Sequence, residues 1–185
     1  MSHPVIISSY ARTPMGSFQR ALSGVSATEL GSVAVKAAVE RSGVDPQAIE
    51  RIYMGCVLPA GLGQAPARQV ALGAGLPQSV EATTVNEMFG SGMQAAVMAS
   101  EALASGAVDI VVAGAMESMS NAPYALPKHR NGARIGHGLV IDTMMMDGLE
   151  DAYDAGKPMG VFAQDTARAY EFTPSGLAAH ASWRH

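Results

Sequence analysis

The feature that most constrains this chain is alternation: short β-branched runs take turns with longer small-residue segments of helical period. The runs PVIISSYA at 4–11, IERIYMGCV at 49–57, ATTVN at 82–86 and DIVVAGAM at 109–116 read as strands, bounded by Pro and Gly turns. Between them lie three helical stretches. The first opens at Ser26, which has Glu29 three positions on as a capping box. It carries Leu30, Val33, Ala34, Ala37 and Ala38 as an apolar stripe and stops near Gly43. The second starts on Pro66 and ends by Gly75, and the third runs from Ser91 to Gly106. Strands alternating with helices favour parallel pairing through crossovers, so the expected fold is a layered α/β/α domain with a mostly parallel sheet.

Beyond Ser118 the character changes. Residues 119–157 keep no long period and are rich in Met, Gly and Pro, as expected of a functional loop, a subunit contact or an arm. A helix is expected to resume at 159–172, and residues 173–185 close the chain without a period. The expected division is therefore an α/β domain at 1–118 and part of an irregular loop domain at 119–185 with an aberrant C-terminal tail.

Composition narrows the function classes. A net charge of -4, from 16 acidic residues against 12 Lys and Arg, gives no basic footprint for nucleic acid or an anionic membrane. With 48% apolar and only 15% charged residues in 185, the surface is expected to be covered partly by oligomer contacts. A lone Cys56 excludes an intrachain disulfide and fits a reducing compartment; it reads as a buried small hydrophobe. No run is long enough for an export or membrane segment, so a cytoplasmic protein is expected.

The chemistry concentrates in VNEMFGSGMQA at 85–95. A strand-to-helix turn usually presents a small reactive side chain, because a helix N-terminus offers unpaired N–H groups and the positive end of a dipole. Here the turn holds Phe89. Gly90, Gly92 and Ala95 also fit G-x-G-x-x-A, with Glu117 ending the next strand where a dinucleotide-binding fold places its ribose-binding acid. Two strands precede this turn, whereas that fingerprint sits at the first strand of its domain.

The segment VNEMFGSGMQAA resembles the thiolase active-site motif N-x-x-C-G-S-G-M, with Phe89 standing at the acyl-accepting cysteine. SYARTPMGSF, MGCVLPAGLGQAPARQVAL, VVAGAMESMSNAPYALPKHRNGARIGHG and MMMDGLEDAY are similar to thiolase segments in thiolase order, from Val5 to about Phe172. The chain thus resembles the N-terminal half of thiolases of the acetyl-CoA acetyltransferase group. The resemblance implies thioester chemistry on coenzyme A substrates, with a cysteine thiolate taking up the acyl group at the position of Phe89. It implies oxyanion support from the backbone at Gly90 and Gly92, and pantetheine contact at Leu149 and Met159. Phe89 has no ionisable proton and no lone pair, so acyl transfer through it is closed. The family's G-H-P and C-x-G-G-G motifs, which activate the nucleophile and move the α-proton, do not occur in this sequence. Ala115 replaces a family glycine in GAMESM, and Pro158–Met159–Gly160 stand where the family often has H-M-G.

The expectation is thiolase-type sequence that is truncated and catalytically inactive, binding acyl-CoA weakly or not at all and associating through its N-terminal sheet and loop segment. The alternative is a non-catalytic thiolase-like protein that binds acyl-CoA or pairs with a full-length subunit. The basic cluster Lys128, His129, Arg130 and Arg134 fits either coenzyme A phosphates or a solvated loop face. The run Met144, Met145 and Met146 reads as adaptable packing, since no metal ligand is near it in sequence. Glu117 reads most simply as a strand-end carboxylate bonded to backbone.

Overall fold

The computed structural model describes residues 4–173 and 175–176. It divides into two compact units, one ending at Met144 and one beginning at Met145.

The first unit is built on three parallel strands, β1 (Arg51–Gly55), β2 (Glu81–Val85) and β3 (Val111–Ala115), in the order β2-β1-β3. Ile52 pairs with Ala82 on one side and with Val112 on the other. The central strand is buried on both faces, and strand alternation sorts its side chains into two cores. Ile52 and Met54, with Cys56 just beyond, pack against α1 (Ala27–Ser42) and α2 (Pro66–Gly73). Tyr53 points the other way and packs with Ala95, Ala99 and Ala102 of α3 (Ser91–Ala104). Two helices on one face and one on the other make the layered α/β/α arrangement that the alternation implies.

Local signals set the helix ends. Ser26 Oγ accepts from the Glu29 backbone N–H at 3.2 Å, and Glu29 Oε2 accepts from the Ser26 N–H at 2.9 Å. Those two bonds close the capping box, and the Ser26 contacts hold the Glu29 carboxyl below its ordinary range. Gly43 ends α1 in the left-handed region at φ 70°. The buried face of α1 differs from the expected stripe: Ala27, Gly31, Val35 and Val39 are buried, while Val33 is 63% exposed. Close approach decides this face, because a Cβ on Gly31 would lie 2.9 Å from Val70 Cγ2 and 3.1 Å from Met116 Sδ. Gly31 therefore turns inward where α1 meets Val70 of α2 and Met116 just after β3.

Residues 4–11 are a correction: the run expected as the first strand forms no strand and pairs with none among the described residues. Ile6 and Ile7 are 78% and 84% exposed. The segment is tied down instead by Ser9 Oγ, which donates to the Ala38 carbonyl at 2.6 Å. β-Branched composition fits a pleated, half-buried surface but cannot supply the neighbouring strand.

After β3, a 3₁₀ turn at Met119–Asn121 leads to the two-residue strands β4 (Tyr124–Ala125) and β5 (Ile141–Asp142), which pair antiparallel and belong to the first unit. The second unit holds a π-helical turn at Met145–Leu149 and α4 (Met159–Ala169). Tyr170 is the C-cap, so α4 stops short of the expected 172. Residues 177–185 of the closing segment lie outside the described residues. No described helix is long and apolar enough to cross a membrane.

Candidate functional site

The site is built where β2 hands the chain to α3. Val85 ends the strand, Asn86 and Glu87 leave it, and a turn at 88–90 opens into the helix. At the centre of the turn is Phe89, whose φ is 54°. A left-handed conformation at a bulky residue is a local strain of about 1–3 kcal/mol that surrounding structure must impose. Ser91 imposes it. Its Oγ donates to the Glu87 carbonyl at 2.7 Å and accepts from the Glu87 N–H at 2.9 Å, while the Gly90 N–H donates to the same carbonyl at 2.9 Å. Asn86 Nδ2 donates to the Val57 carbonyl at 3.3 Å, fixing the chain entering the turn to the end of β1.

The consequence is presentation. Phe89 is 65% exposed and belongs to neither core. The elbow thus aims its central side chain away from the fold, at the N-terminus of a fourteen-residue helix whose N-cap, Gly90, provides no side-chain bond. A polarisable or anionic group at this position would face the positive end of the helix.

The two glycines beside it serve different ends. A Cβ on Gly90 would sit in ordinary contact with Glu87, 3.5 Å away. A Cβ on Gly92 would approach Ala115 Cβ to 3.0 Å, so Gly92 faces the sheet, and its lack of a side chain serves packing against β3. Space on the exposed side of the elbow therefore comes from the turn's direction. The residue that matters most for this docking is Gly55, which the sequence does not single out: a Cβ there would lie 2.6 Å from Ser91 Cβ and 2.7 Å from the Ser91 carbonyl carbon. Gly55→Ala is expected to destabilise the domain by about 1–3 kcal/mol through overpacking against backbone that cannot yield. Chemical denaturation checks this, and an unchanged midpoint would show that the helix start is free to shift.

Glu117 and Cys56 are paired with each other. Glu117 accepts from the backbone N–H groups of Val57 at 2.9 Å and Leu58 at 3.0 Å, and the Cys56 thiol lies 3.6 Å from its Oε1. Both carboxylate oxygens are therefore committed to binding the loop after β1, as the strand-end reading of Glu117 expects, which removes its role as a ribose acceptor. Cys56 is 1% exposed, and burial together with the nearby Glu117 charge pushes its thiol from 9.0 up to about 12. It is no substitute nucleophile. A thiol reagent is expected to leave Cys56 unmodified at neutral pH until the chain unfolds. Because the folded state holds this proton more tightly than the unfolded state, the associated stability is full below the ordinary thiol value and lost as pH rises from 9.0 towards about 12. Rapid labelling of native protein at neutral pH would refute the burial.

Leu149 and Met159 lie in the second unit. Leu149 ends the π-helical turn and Met159 begins α4, both half-buried, and an antiparallel bridge between Glu150 and Pro158 sets the two segments side by side. Lys128, Arg130 and Arg134 are exposed, and His129 Nδ1 is buried without a hydrogen-bond partner.

A parallel sheet between helices, with a strained residue held outward where a strand meets a helix N-terminus, defines a layered α/β domain with an exposed strand-to-helix elbow. The chain belongs to the thiolase family: residues 5–185 match the thiolase N-terminal domain, a span that continues past Phe172, where the motif-by-motif resemblance ends. It is 50% identical over 178 residues to acetyl-CoA acetyltransferase 1 of Arabidopsis thaliana, covering 96% of this chain and 42% of that protein. It is 51% identical over 160 residues to acetyl-CoA acetyltransferase of Schizosaccharomyces pombe, covering 86% and 40%. The crystal structure of Acat5 thiolase from Ascaris suum in complex with coenzyme A superposes with a TM-score of 0.87 at 40% identity, over 95% of this chain and 45% of that one. The chain thus spans less than half the length of these relatives.

Proposed function

We propose that this chain is a thiolase-type domain of acyl-CoA chemistry in which Phe89 occupies the acyl-accepting position, leaving the chain itself without acyl-transfer activity. One observation carries the reading: the residue in the cysteine's place is held at φ 54° and exposed at the start of α3, the posture a nucleophile there requires, but the side chain is a phenyl group. The relatives named as acetyl-CoA acetyltransferases and the coenzyme A complex of the Ascaris suum protein supply the substrate class, coenzyme A thioesters. In this reading Gly90 and Gly92 supply backbone N–H groups to an acyl oxyanion, and the ring of Phe89 fills the channel for the acyl group.

The test restores space and reactivity separately. Phe89→Ala opens the channel, and Phe89→Cys places a thiol on the elbow. Iodoacetamide is expected to alkylate the introduced thiol of the second variant in the native state while sparing Cys56. A short acyl-CoA is expected to bind either variant more tightly than the parent. An introduced thiol that stays unmodified in the folded protein would sink the assignment of this turn as the acyl-accepting position.

A further inference from the structure

Three strand ends meet beside the elbow, where the sheet's own ladder runs out. Its closing bonds run from the Cys56 N–H to the Val85 carbonyl and from the Met116 N–H to the Gly55 carbonyl, both at 2.9 Å. Beyond them two side chains take over. From the exit of β3, Glu117 accepts from the Val57 and Leu58 N–H groups at 2.9 and 3.0 Å. From the exit of β2, Asn86 donates to the Val57 carbonyl at 3.3 Å. Val57 thus has its N–H held by one neighbour and its carbonyl by the other, which joins Glu117 to the residue leading into the elbow through one short segment of backbone.

We propose that Glu117 is a positioning residue for the elbow: by clamping the 57–58 segment from β3 it fixes, through Asn86, the strand side of the turn, and so keeps residue 89 left-handed and facing the start of α3. A strained turn persists only when it is held at both ends. Ser91 holds the helix side through its two bonds to Glu87. Those bonds lie within the turn and leave its strand side to Asn86, whose anchor is the segment that Glu117 holds. The residue type fits the task. Two N–H donors from adjacent residues converge on one side chain, and a carboxylate offers two equivalent acceptors where an amide offers one acceptor and one donor group. The proposal deepens the acyl-accepting reading of position 89 and rests on it.

The experiment has two arms. In the chain as it stands, Glu117→Gln and Asn86→Ala are each expected to speed amide hydrogen exchange at residues 87–91 by about tenfold, with exchange in the body of α3 unchanged. In Phe89→Cys, the pH midpoint of alkylation by iodoacetamide reports where the introduced thiol stands, because the start of a helix favours the thiolate. Each substitution is expected to raise that midpoint by about one pH unit, and the two together to raise it no further, since they act in series. The sign separates position from charge: a Glu117 that acted on the thiol only through its negative charge would, on replacement by Gln, lower the midpoint. Glu87, the acid within the turn, stays in place throughout. Asn86 is exposed, so Asn86→Ala tests the link independently of the folding of Glu117→Gln. Unchanged exchange at the elbow, a midpoint that falls in Glu117→Gln, or shifts from the two substitutions that simply add would overturn the proposal. An introduced thiol that stays unmodified in the native state sinks the acyl-accepting reading instead, and the exchange arm then still decides whether Glu117 holds the elbow.

Discussion

The purified chain is expected to leave acetoacetyl-CoA uncleaved, with coenzyme A consumption no faster than background. Thiolysis through a covalent intermediate needs a nucleophile at the elbow, and Phe89 offers none. The only thiol, Cys56, is buried beneath the opposite helices with Glu117 beside it, which disfavours the thiolate. Phe89→Cys is expected to remain inactive in turnover although its thiol can be alkylated. The sequence holds neither the G-H-P nor the C-x-G-G-G motif that would activate the thiol and move the α-proton. Groups that act as a unit lose nearly all their effect when any one is missing, typically several orders of magnitude in rate. Sustained turnover by the parent or by Phe89→Cys would overturn the account of an acyl-transfer site closed at one residue and incomplete elsewhere.

Ile52→Ala is expected to lower the stability of the domain by roughly 2–5 kcal/mol. Ile52 is fully buried in the central strand and packed among α1 and α2 side chains, so its truncation leaves a cavity in the core. Phe89→Ala removes a larger side chain and is expected to cost less than about 1 kcal/mol, against the roughly 3–5 kcal/mol of a buried phenyl, because the ring is 65% exposed. Phe89→Gly is expected to raise stability slightly, since glycine takes φ 54° without the strain of a Cβ. Urea denaturation of the three variants gives the ranking. A loss at Phe89→Ala comparable to that at Ile52→Ala would place the ring in the core and remove the elbow from the functional site.

Much of this was legible in the chain itself because it depends on neighbours in sequence. The capping box at Ser26 and Glu29, the left-handed stop at Gly43 and the strand-turn-helix pattern at 81–104 follow from local hydrogen bonding and the backbone freedom of particular residues. β1 and β3 fall within the windows expected from β-branched composition, and β2 is shifted one residue towards the N-terminus of its window. The order of motifs along the chain points to the thiolase family by the same kind of local pattern.

What failed did so where the deciding contact is distant in sequence. Residues 4–11 have strand composition, yet strand formation is a property of pairs, and among the described residues no partner lies beside them. The inward face of α1 was decided by how closely Gly31 could approach Val70 and Met116, which periodicity does not encode. Gly55 looks like any glycine at a strand end until α3 is placed against it. Glu117 fits a dinucleotide site by spacing and loses that role only when its two oxygens are found on Val57 and Leu58. The sequence by itself determined which residues stand at the elbow and that a phenyl ring is at its centre. Only the tertiary structure decided that Ser91 clamps the turn into a left-handed conformation and that the ring points out of the fold, because exposure is set by what packs against a residue and not by the residue itself.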